Sequence, residues 1–314
     1  MQKDIVAYFE NTIIPLIAKD FPQVASEMSI MVTGSFGFGL GDESSDLDAN
    51  IYLDDPLWKS QGGQVQLLLE HSPDSFARTV GHPEICVHPL SWLLDEHRKL
   101  FLEGRRDLPW EQVSIEDLFE LQENLVLRDP HGVFGRLRER TAPERLPDWL
   151  WQKRLMEEWQ KLVFADLGEL VSSVKRQRAL QAQIIFGCVM EDLLHVGFLL
   201  NRKYYPWRKH LRWAFEKLPV LASSALPHLD AVDSLRDWDG KLASVEAVRD
   251  IYADYMRDKG ILSPEVLDDL EWAIRLEAWS NPRWRDRILA LQQKAVAAGD
   301  KPGDRWVWSL WGWN

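Results

Sequence analysis

The sequence predicts an α+β protein in two parts: a strand-bearing domain with flanking helices over residues 1–143, and an all-α helical bundle over residues 144–314. Two short β-prone runs on either side of a glycine-rich turn indicate a sheet in the first part. Pro143 and Pro147 then interrupt the pattern, and beyond them apolar residues recur at helical spacing almost without a break. The length of 314 residues also favours two domains over one.

The N-terminal domain is predicted to open with a helix over residues 4–20, because Ile5, Phe9 and Ile13 recur at helical spacing. The expected strands lie at about 29–33, 47–53 and 84–90, with a helical stretch around 64–79 before the last of them. Further helices are expected at 91–97 and 115–122. A short strand that begins at Leu125 should end in a turn at Gly132.

The C-terminal domain is predicted to consist of helices and the turns between them. The expected helices span about 148–175, 177–201, 207–218, 228–237, 244–259, 263–279 and 284–297. Gly260 after Lys259 is a helix stop signal. Ser263 before Pro264 is a start signal, because serine caps a helix and proline fits its first turn.

The segment from Gly34-Ser35 to Asp46 and Asp48 carries the functional signal. Side chains alternate along a strand, so the two aspartates should point the same way. Neighbouring carboxylates repel unless a cation lies between them, and oxygen ligands of this kind suit Mg²⁺. The upstream turn of small residues has backbone N–H groups that can hold phosphate oxygens. Together these parts predict phosphoryl or nucleotidyl transfer.

Two other phosphate-binding motifs do not fit the glycine-rich turn. A P-loop requires Lys followed by Ser or Thr after the glycines, and none is present. The dinucleotide fingerprint requires G-x-G-x-x-G at the start of a long helix, and the spacing here differs. Asp-x-Asp alone is common at turns, and glycine clusters usually form loops, so the combination is what points to a metal and phosphate site.

The order strand, Gly34-Ser35, loop, Asp46-x-Asp48, strand resembles the signature of the nucleotidyltransferase superfamily, which includes DNA polymerase β and the antibiotic adenylyltransferases. The resemblance implies a mixed sheet with flanking helices over residues 1–143. It also implies a Mg²⁺-dependent enzyme that moves a nucleoside monophosphate, AMP from ATP, to an acceptor hydroxyl. Asp46 and Asp48 would bind the metal, and Gly34 and Ser35 would bind the triphosphate.

The superfamily pattern contains a third carboxylate on a neighbouring strand, and Glu84 is the best candidate. Glu84, Cys86 and His88 should share one face of their strand, opposite Ile85 and Val87. The run Glu-Ile-Cys-Val-His resembles the strand of the aminoglycoside adenylyltransferases whose glutamate is the general base, which implies that role for Glu84. His88 is the rival for it, and Cys86 is assigned no role.

A basic segment in the helical domain is the candidate for the second half of the site. Tyr204-Tyr205-Pro206-Trp207 ends one helix, and basic residues are concentrated around it: Arg202, Lys203, Arg208, Lys209 and Arg212. The segment resembles one in the helical domain of the aminoglycoside adenylyltransferases, and more closely a Pro-Trp-x-Lys-x-Leu segment of an uncharacterised family of nucleotidyltransferase-like proteins. The resemblance implies that Lys209 contacts the nucleotide phosphates, so that the helical domain completes the nucleotide and acceptor site. The alternative is that these are solvated surface charges.

A second, weaker candidate lies on the preceding apolar helix. Glu191 and Asp192 could bind the acceptor, although buried acids need partners, and His195 or Arg202 could supply them.

Charge is divided unevenly between the two parts. Residues 1–143 contain 12 Lys and Arg against 24 Asp and Glu, whereas residues 144–314 contain 25 of each. An acidic N-terminal half makes a nucleic acid an unlikely partner, because tight binding of a polyanion needs a basic surface. It is compatible with a small cationic acceptor, and most of these acids also serve solubility.

Other features bear on location and partners. No uninterrupted run of about 18 apolar residues is present, no signal peptide opens the chain, and the two cysteines are far apart. We therefore expect that the protein has no membrane partner and resides in a reducing cytoplasm.

Four tryptophans at residues 305–313 predict a packed C-terminal segment or, alternatively, a homo-oligomer or partner contact. The alternative function is a nucleotidyltransferase-like regulatory or antitoxin-type module that binds or modifies a protein partner.

Overall fold

The computed structural model describes residues 2–71, 84–92, 114–146 and 148–261. The chain divides into two compact units, residues 1–146 and 147–314, where the sequence predicted a boundary between residues 143 and 144. The architecture is α+β, with a small mixed sheet and flanking helices followed by helices, which confirms the predicted fold class. The predicted helices over 263–279 and 284–297, the Ser263-Pro264 start and the tryptophan-rich segment lie outside the described residues.

In the N-terminal unit, helices precede, separate and follow the strands along the chain. A first long helical segment consists of α1 (Gln2–Tyr8), a π-helical turn (Phe9–Ile13) and α2 (Ile14–Asp20), in good agreement with the prediction. The remaining helices are α3 (Pro22–Glu27), the single turn α4 (Gly34–Gly37), the short α5 (Asp55–Leu57), α6 (Gly63–Glu70), α7 (Ile115–Glu123) and α8 (Val133–Arg140). A π-helical turn (Trp58–Gly62) joins α5 to α6.

The sheet has four strands in the order β3-β2-β1-β4. The strands are β1 (Ser29–Val32), β2 (Asp48–Leu53), β3 (Glu84–Pro89) and β4 (Leu125–Arg128). The central strand β1 is antiparallel to β2 and to β4, whereas β2 and β3 run parallel. All four strands lie within a residue or two of the predicted positions, because each has a period-2 pattern or a short apolar run bounded by turn residues.

The two faces of the sheet differ in polarity. On one face Val32, Ile51 and Val87 belong to a buried cluster that also contains Phe9 and Ile17 of the first helical segment. Strand alternation places the other residues of β2 and β3 on the opposite face, and these are mainly polar: Asp48, Asn50, Tyr52, Glu84, Cys86 and His88. The alternation of apolar and polar residues therefore determines which side chains lie on the polar face of the sheet.

The second unit contains six helices among its described residues. They are α9 (Asp148–Gln160), α10 (Leu167–Lys175), α11 (Ala179–Leu200), α12 (Arg208–Phe215), α13 (Ala222–Ala231) and α14 (Trp238–Lys259). A π-helical turn (Lys161–Asp166) joins α9 to α10. The long apolar helix α11 contacts α9, α10, α12 and α14 and so lies at the centre of the unit. By length and composition α11 is the one described helix that could cross a membrane, yet 61% of its most apolar window is buried within the protein.

Two helix boundaries differ from the prediction. The helix predicted at 228–237 lies at Ala222–Ala231 and contains Pro227 in its interior, a position that proline usually avoids. The helix predicted at 244–259 begins six residues earlier, at Trp238. Its start is set by Asp237, whose carboxylate accepts a hydrogen bond of 2.7 Å from the Gly240 amide. Its end at Gly260, with φ of +60°, is as predicted.

The packing of α11 generates the first prediction. Gly197→Ala should lower the free energy of unfolding by about 1–3 kcal/mol, because overpacking a close contact forces its neighbours apart. The added Cβ would lie 2.3 Å from Cε2 of the buried Phe215 and 2.9 Å from the Tyr252 hydroxyl oxygen. Gly187→Ala on the same helix is the matched control, since its Cβ would meet nothing within 4 Å. Urea unfolding monitored by circular dichroism measures both changes.

The control should raise the free energy of unfolding by about 0.5–1 kcal/mol, through helix propensity alone. Changes of the same sign and size in the two variants would contradict the tight crossing of α11, α12 and α14 at Gly197.

Candidate functional site

Asp48 and Glu84 are direct neighbours in the sheet. The parallel register of β2 and β3 pairs Asp48 with Glu84, each at the first position of its strand. Paired residues on adjacent strands point to the same face, and the strands are roughly 4.8 Å apart. Asp48 is partly buried and Glu84 is exposed, so the pair lies where the polar face meets solvent. The structure therefore brings together two of the three predicted carboxylates.

Asp46 lies just before β2 and is exposed. Leu47, which separates it from Asp48, is fully buried in the core, so the two aspartates flank a residue that anchors the chain. The loop before Asp46 is ordered by Asp42, whose Oδ1 accepts hydrogen bonds from the Ser44 amide at 2.9 Å and the Ser45 hydroxyl at 3.0 Å. These contacts hold the approach to Asp46 in a defined turn.

The glycine turn packs directly against Asp48. Gly34 has φ of +62°, a conformation that favours glycine, and a Cβ at this position would lie 2.7 Å from Asp48 Oδ2. The Thr33 amide donates a hydrogen bond of 2.9 Å to the Asp48 carbonyl oxygen, which ties the start of the turn to β2. Ser35 is buried in the single helical turn α4. The first amides of such a turn have no preceding helical carbonyl to bond, so they are suited to an external acceptor.

The surroundings of Asp48 are electrostatically negative. Burial raises the pKa of the Cys86 thiol, and the charges of Glu84, Asp48 and Glu70 raise it further. Burial also raises the pKa of Glu120 on α7, with added contributions from Asp117 and Asp48. Since both shifts include Asp48, acidic groups from β2, β3 and α7 converge on one region. Carboxylate oxygens are the ligands that a hard divalent cation such as Mg²⁺ prefers.

Glu120 was not found by sequence reasoning. Its one signal is position: it lies between the buried residues Phe119 and Leu121 on an amphipathic helix, where a charged side chain at the edge of the apolar stripe is unusual. Nothing in the sequence indicated that α7 would approach the end of β2.

His88, the rival of Glu84, lies elsewhere on the same face. The register places it opposite Tyr52, four residues along β3 from Glu84 and therefore roughly 13 Å away. Its ring stacks on Trp92 with centroids 4.4 Å apart, and burial lowers its pKa. Glu84, rather than His88, is the side chain opposite Asp48.

The basic segment of the second unit is largely neutralised by ion pairs. Arg202 pairs with Asp148 at 2.5 Å, Arg208 with Glu191 at 2.6 Å, and Arg212 with Asp230 at 2.9 Å. Lys203 and Lys209 have no carboxylate partner in the described part of the chain. Lys209 is exposed in the first turn of α12, and its contact with phosphate stays a prediction.

Glu191 and Asp192 do not form a common binding pair. Glu191 accepts a hydrogen bond from Arg208, whereas Asp192 is fully buried and bonded to Lys161. The sequence suggested His195 or Arg202 as partners, whereas the hydrogen bonds come from Arg208 and Lys161.

Comparison with known proteins gives limited information. Residues 110–213 match a family model described as a domain of unknown function (DUF4037), a segment that includes Glu120 and Lys209 but not Asp46, Asp48 or Glu84. No curated protein matches the chain. Among solved structures, a nucleotidyltransferase-like protein from Exiguobacterium sibiricum 255-15 is similar at a TM-score of 0.37 and 9% identity, over 86% of this chain and 77% of its own.

The contact between Gly34 and Asp48 generates the second prediction. Gly34→Ala should destabilise the protein and abolish any rise in melting temperature that Mg²⁺ produces, because the new Cβ displaces the Asp48 carboxylate. Gly132→Ala is the matched control: Gly132 has nearly the same φ, +63°, but its Cβ would meet only Arg136 Nη1, at 3.3 Å. In both variants the free energy of unfolding should fall by about 1–2 kcal/mol, because alanine is strained in the left-handed conformation. Differential scanning fluorimetry with and without Mg²⁺ separates the shared strain from the loss specific to Gly34.

A Gly34→Ala protein that responds to Mg²⁺ as Gly132→Ala does would contradict the role of this turn in shaping the carboxylate site.

Proposed function

We propose that the chain is a Mg²⁺-dependent nucleotidyltransferase that moves AMP from ATP to an acceptor hydroxyl. The observation that supports this most directly is the pairing of Asp48 with Glu84 beside the Gly34 turn. Carboxylates from two adjacent strands, next to a backbone turn that can receive phosphate oxygens, are the groups that a nucleoside triphosphate with its metal requires.

Asp48, together with Asp46, would hold the metal, and Glu84 would complete the ligand set or act as the base. When bound, Mg²⁺ neutralises the charge of the triphosphate during transfer. The amides of Gly34 and Ser35 would hold the terminal phosphates of ATP. Because α4 is tied to β2 through Thr33 and Asp48, the phosphate and metal groups belong to one rigid piece of the fold.

The reaction is a single displacement at the α-phosphorus of ATP. A lone pair of the acceptor oxygen forms the new bond to phosphorus as the bond to the bridging oxygen breaks, and pyrophosphate leaves. Glu84 would take the proton from the acceptor hydroxyl. Glu84 is exposed at the first position of β3, so an acceptor could approach it from solvent.

The acceptor is proposed to be a small cationic molecule. The excess of acidic residues over residues 1–143, 24 against 12 basic ones, favours the approach of a cation. The carboxylates around Asp48 would also attract a cation locally.

The third prediction concerns the carboxylate pair. Asp48→Asn should weaken the binding of ATP with Mg²⁺ by about 100-fold or more, since it removes a metal ligand. Glu84→Gln should leave that affinity within a few-fold but lower the rate of pyrophosphate release by about 10² to 10⁴, as expected for loss of a general base. Isothermal titration and a pyrophosphate-release assay with a panel of hydroxyl-bearing amines measure the two effects.

Glu43→Gln is the matched control, because Glu43 is an exposed acid in the loop before Asp46. It should change neither property. If Asp48→Asn binds ATP with Mg²⁺ as tightly as Glu43→Gln does, the proposed function is wrong.

The fourth prediction concerns Lys209. A triphosphate needs cationic groups as well as backbone dipoles, and we propose that the basic segment Arg202–Arg212 supplies one of them. Because Arg202, Arg208 and Arg212 are ion-paired, this role would fall to a lysine. Lys209→Ala should therefore weaken ATP binding about tenfold or more while leaving adenosine binding nearly unchanged, as measured by titration calorimetry.

Lys203→Ala is the comparison variant, since Lys203 is also exposed and without a carboxylate partner among the described residues. Equal losses for ATP and adenosine in Lys209→Ala, or a greater loss of ATP affinity in Lys203→Ala, would refute the assignment.

A further inference from the structure

A second group of acidic and imidazole side chains lies inside the helical unit. Glu158 on α9 and Asp192 and His195 on α11 each offer a ligand atom, and these atoms all lie within 4.8 Å of one another. The Asp192 side chain is completely buried and that of His195 is 10% exposed. The cluster therefore differs from a surface patch of acids, which water would solvate.

Three polar atoms of this cluster lack a hydrogen bond. Asp192 Oδ2, Glu158 Oε2 and His195 Nδ1 are all buried, and none has a hydrogen-bond partner among the described residues. His195 Nδ1 lies 3.7 Å from Glu158 Oε2, which is too long for a hydrogen bond. Buried polar atoms are nearly always bonded, and each one left unbonded costs about 1–3 kcal/mol. Three such atoms in one cluster indicate a missing ligand.

The net charge of the cluster indicates whether that ligand is a cation or an anion. Lys161 bonds Asp192 Oδ1, which leaves Oδ2 available. Asp166 lies within hydrogen-bonding reach of the Asp192 carboxyl group, and its own Oδ2 is also buried without a bond. The carboxylates of Glu158, Asp166 and Asp192 against one ammonium leave two formal negative charges, and His195 adds none when neutral. One divalent cation would neutralise the cluster.

The positions of the donors on the helices suit a metal ion. Asp192 and His195 are three residues apart on α11, so they project from one face of the helix towards α9. The His195 ring is held by stacking on Tyr205, with centroids 3.9 Å apart and planes 12° from parallel. A fixed ring orientation is what a metal-binding histidine requires. Metal–ligand bonds of about 2.1 Å put ligand atoms no more than roughly 4.2 Å apart, so a small contraction of the cluster suffices.

We propose that Glu158, Asp192 and His195 form a binding site for one divalent cation of the transition series, such as Zn²⁺ or Mn²⁺. Imidazole together with carboxylates favours these ions over Mg²⁺ and Ca²⁺, which prefer oxygen ligands alone. The ion would link α9 to the central helix α11 and so stabilise the helical unit. The site is separate from the proposed nucleotide site and does not depend on it.

A bound proton is the competing occupant. In the absence of metal, burial and the nearby Asp166 carboxylate raise the pKa of Asp192, while Lys161 opposes the shift. A proton shared between Asp192 and Asp166 would reduce the excess charge, but it would leave Glu158 Oε2 and His195 Nδ1 without a bond. A cation accepts all three donors at once, which is why we favour it.

The test uses the full-length protein, stripped with EDTA and titrated calorimetrically with Zn²⁺, Mn²⁺ and Mg²⁺. Zn²⁺ should bind with a stoichiometry of one to this site and raise the melting temperature. Asp192→Asn preserves the shape of the side chain and should weaken Zn²⁺ binding by about 100-fold or more. Glu191→Gln is the matched control, since the neighbouring acid is bonded to Arg208 instead, and it should bind Zn²⁺ like the original protein.

Asp48→Asn separates this proposal from the proposed function. It should retain Zn²⁺ binding in the helical unit while losing the response to Mg²⁺ with ATP. Substitution with Co²⁺ gives a second measurement, because a visible absorption band should appear in the original protein and in Glu191→Gln but not in Asp192→Asn. Equal Zn²⁺ affinity in Asp192→Asn, or no Zn²⁺ binding by any variant, would overturn the proposal.

Discussion

The parallel pairing of β2 with β3 is the constraint on which the proposed active site depends. It places Asp48 opposite Glu84, and a shift of one residue would turn Glu84 towards the core and Ile85 towards solvent. The burial of Ile85 and Val87 opposes that shift. The outer edge of β3 is also bonded: Gln66 Oε1 accepts from the Val87 amide at 2.8 Å. Side-chain bonds to an edge strand replace those of a further strand, so they hold the register where the sheet ends.

The glycine turn next to this pair is held under close steric constraint. A Cβ on Gly37 would lie 2.5 Å from the Val32 carbonyl oxygen and 2.6 Å from Asn124 Oδ1. Asn124 is buried, and neither polar atom of its side chain is hydrogen-bonded in the described structure. Each buried polar atom left without a bond costs free energy, and such costs are often found beside functional sites.

The sequence predicted the strands and the faces of their side chains, because alternation is a local property that short segments reveal. It could not reveal which strands are neighbours, so the pairing of Asp48 with Glu84 depended on resemblance to a family. Glu120 was not found, and Glu158 was not added to Asp192 and His195, since both lie far along the chain from the residues that they join. The helix at Ala222–Ala231 was also misplaced, and it contains Pro227 in its interior, where local preference disfavours proline.

The ion pairs of the helical unit change what its basic segment can contribute. As a sequence, five basic residues within 202–212 suggest a strong positive field. In the structure the three arginines form ion pairs with Asp148, Glu191 and Asp230, which reduces the positive charge that the segment offers. A triphosphate bound at the proposed site would therefore need a divalent cation for charge balance as well as for chemistry.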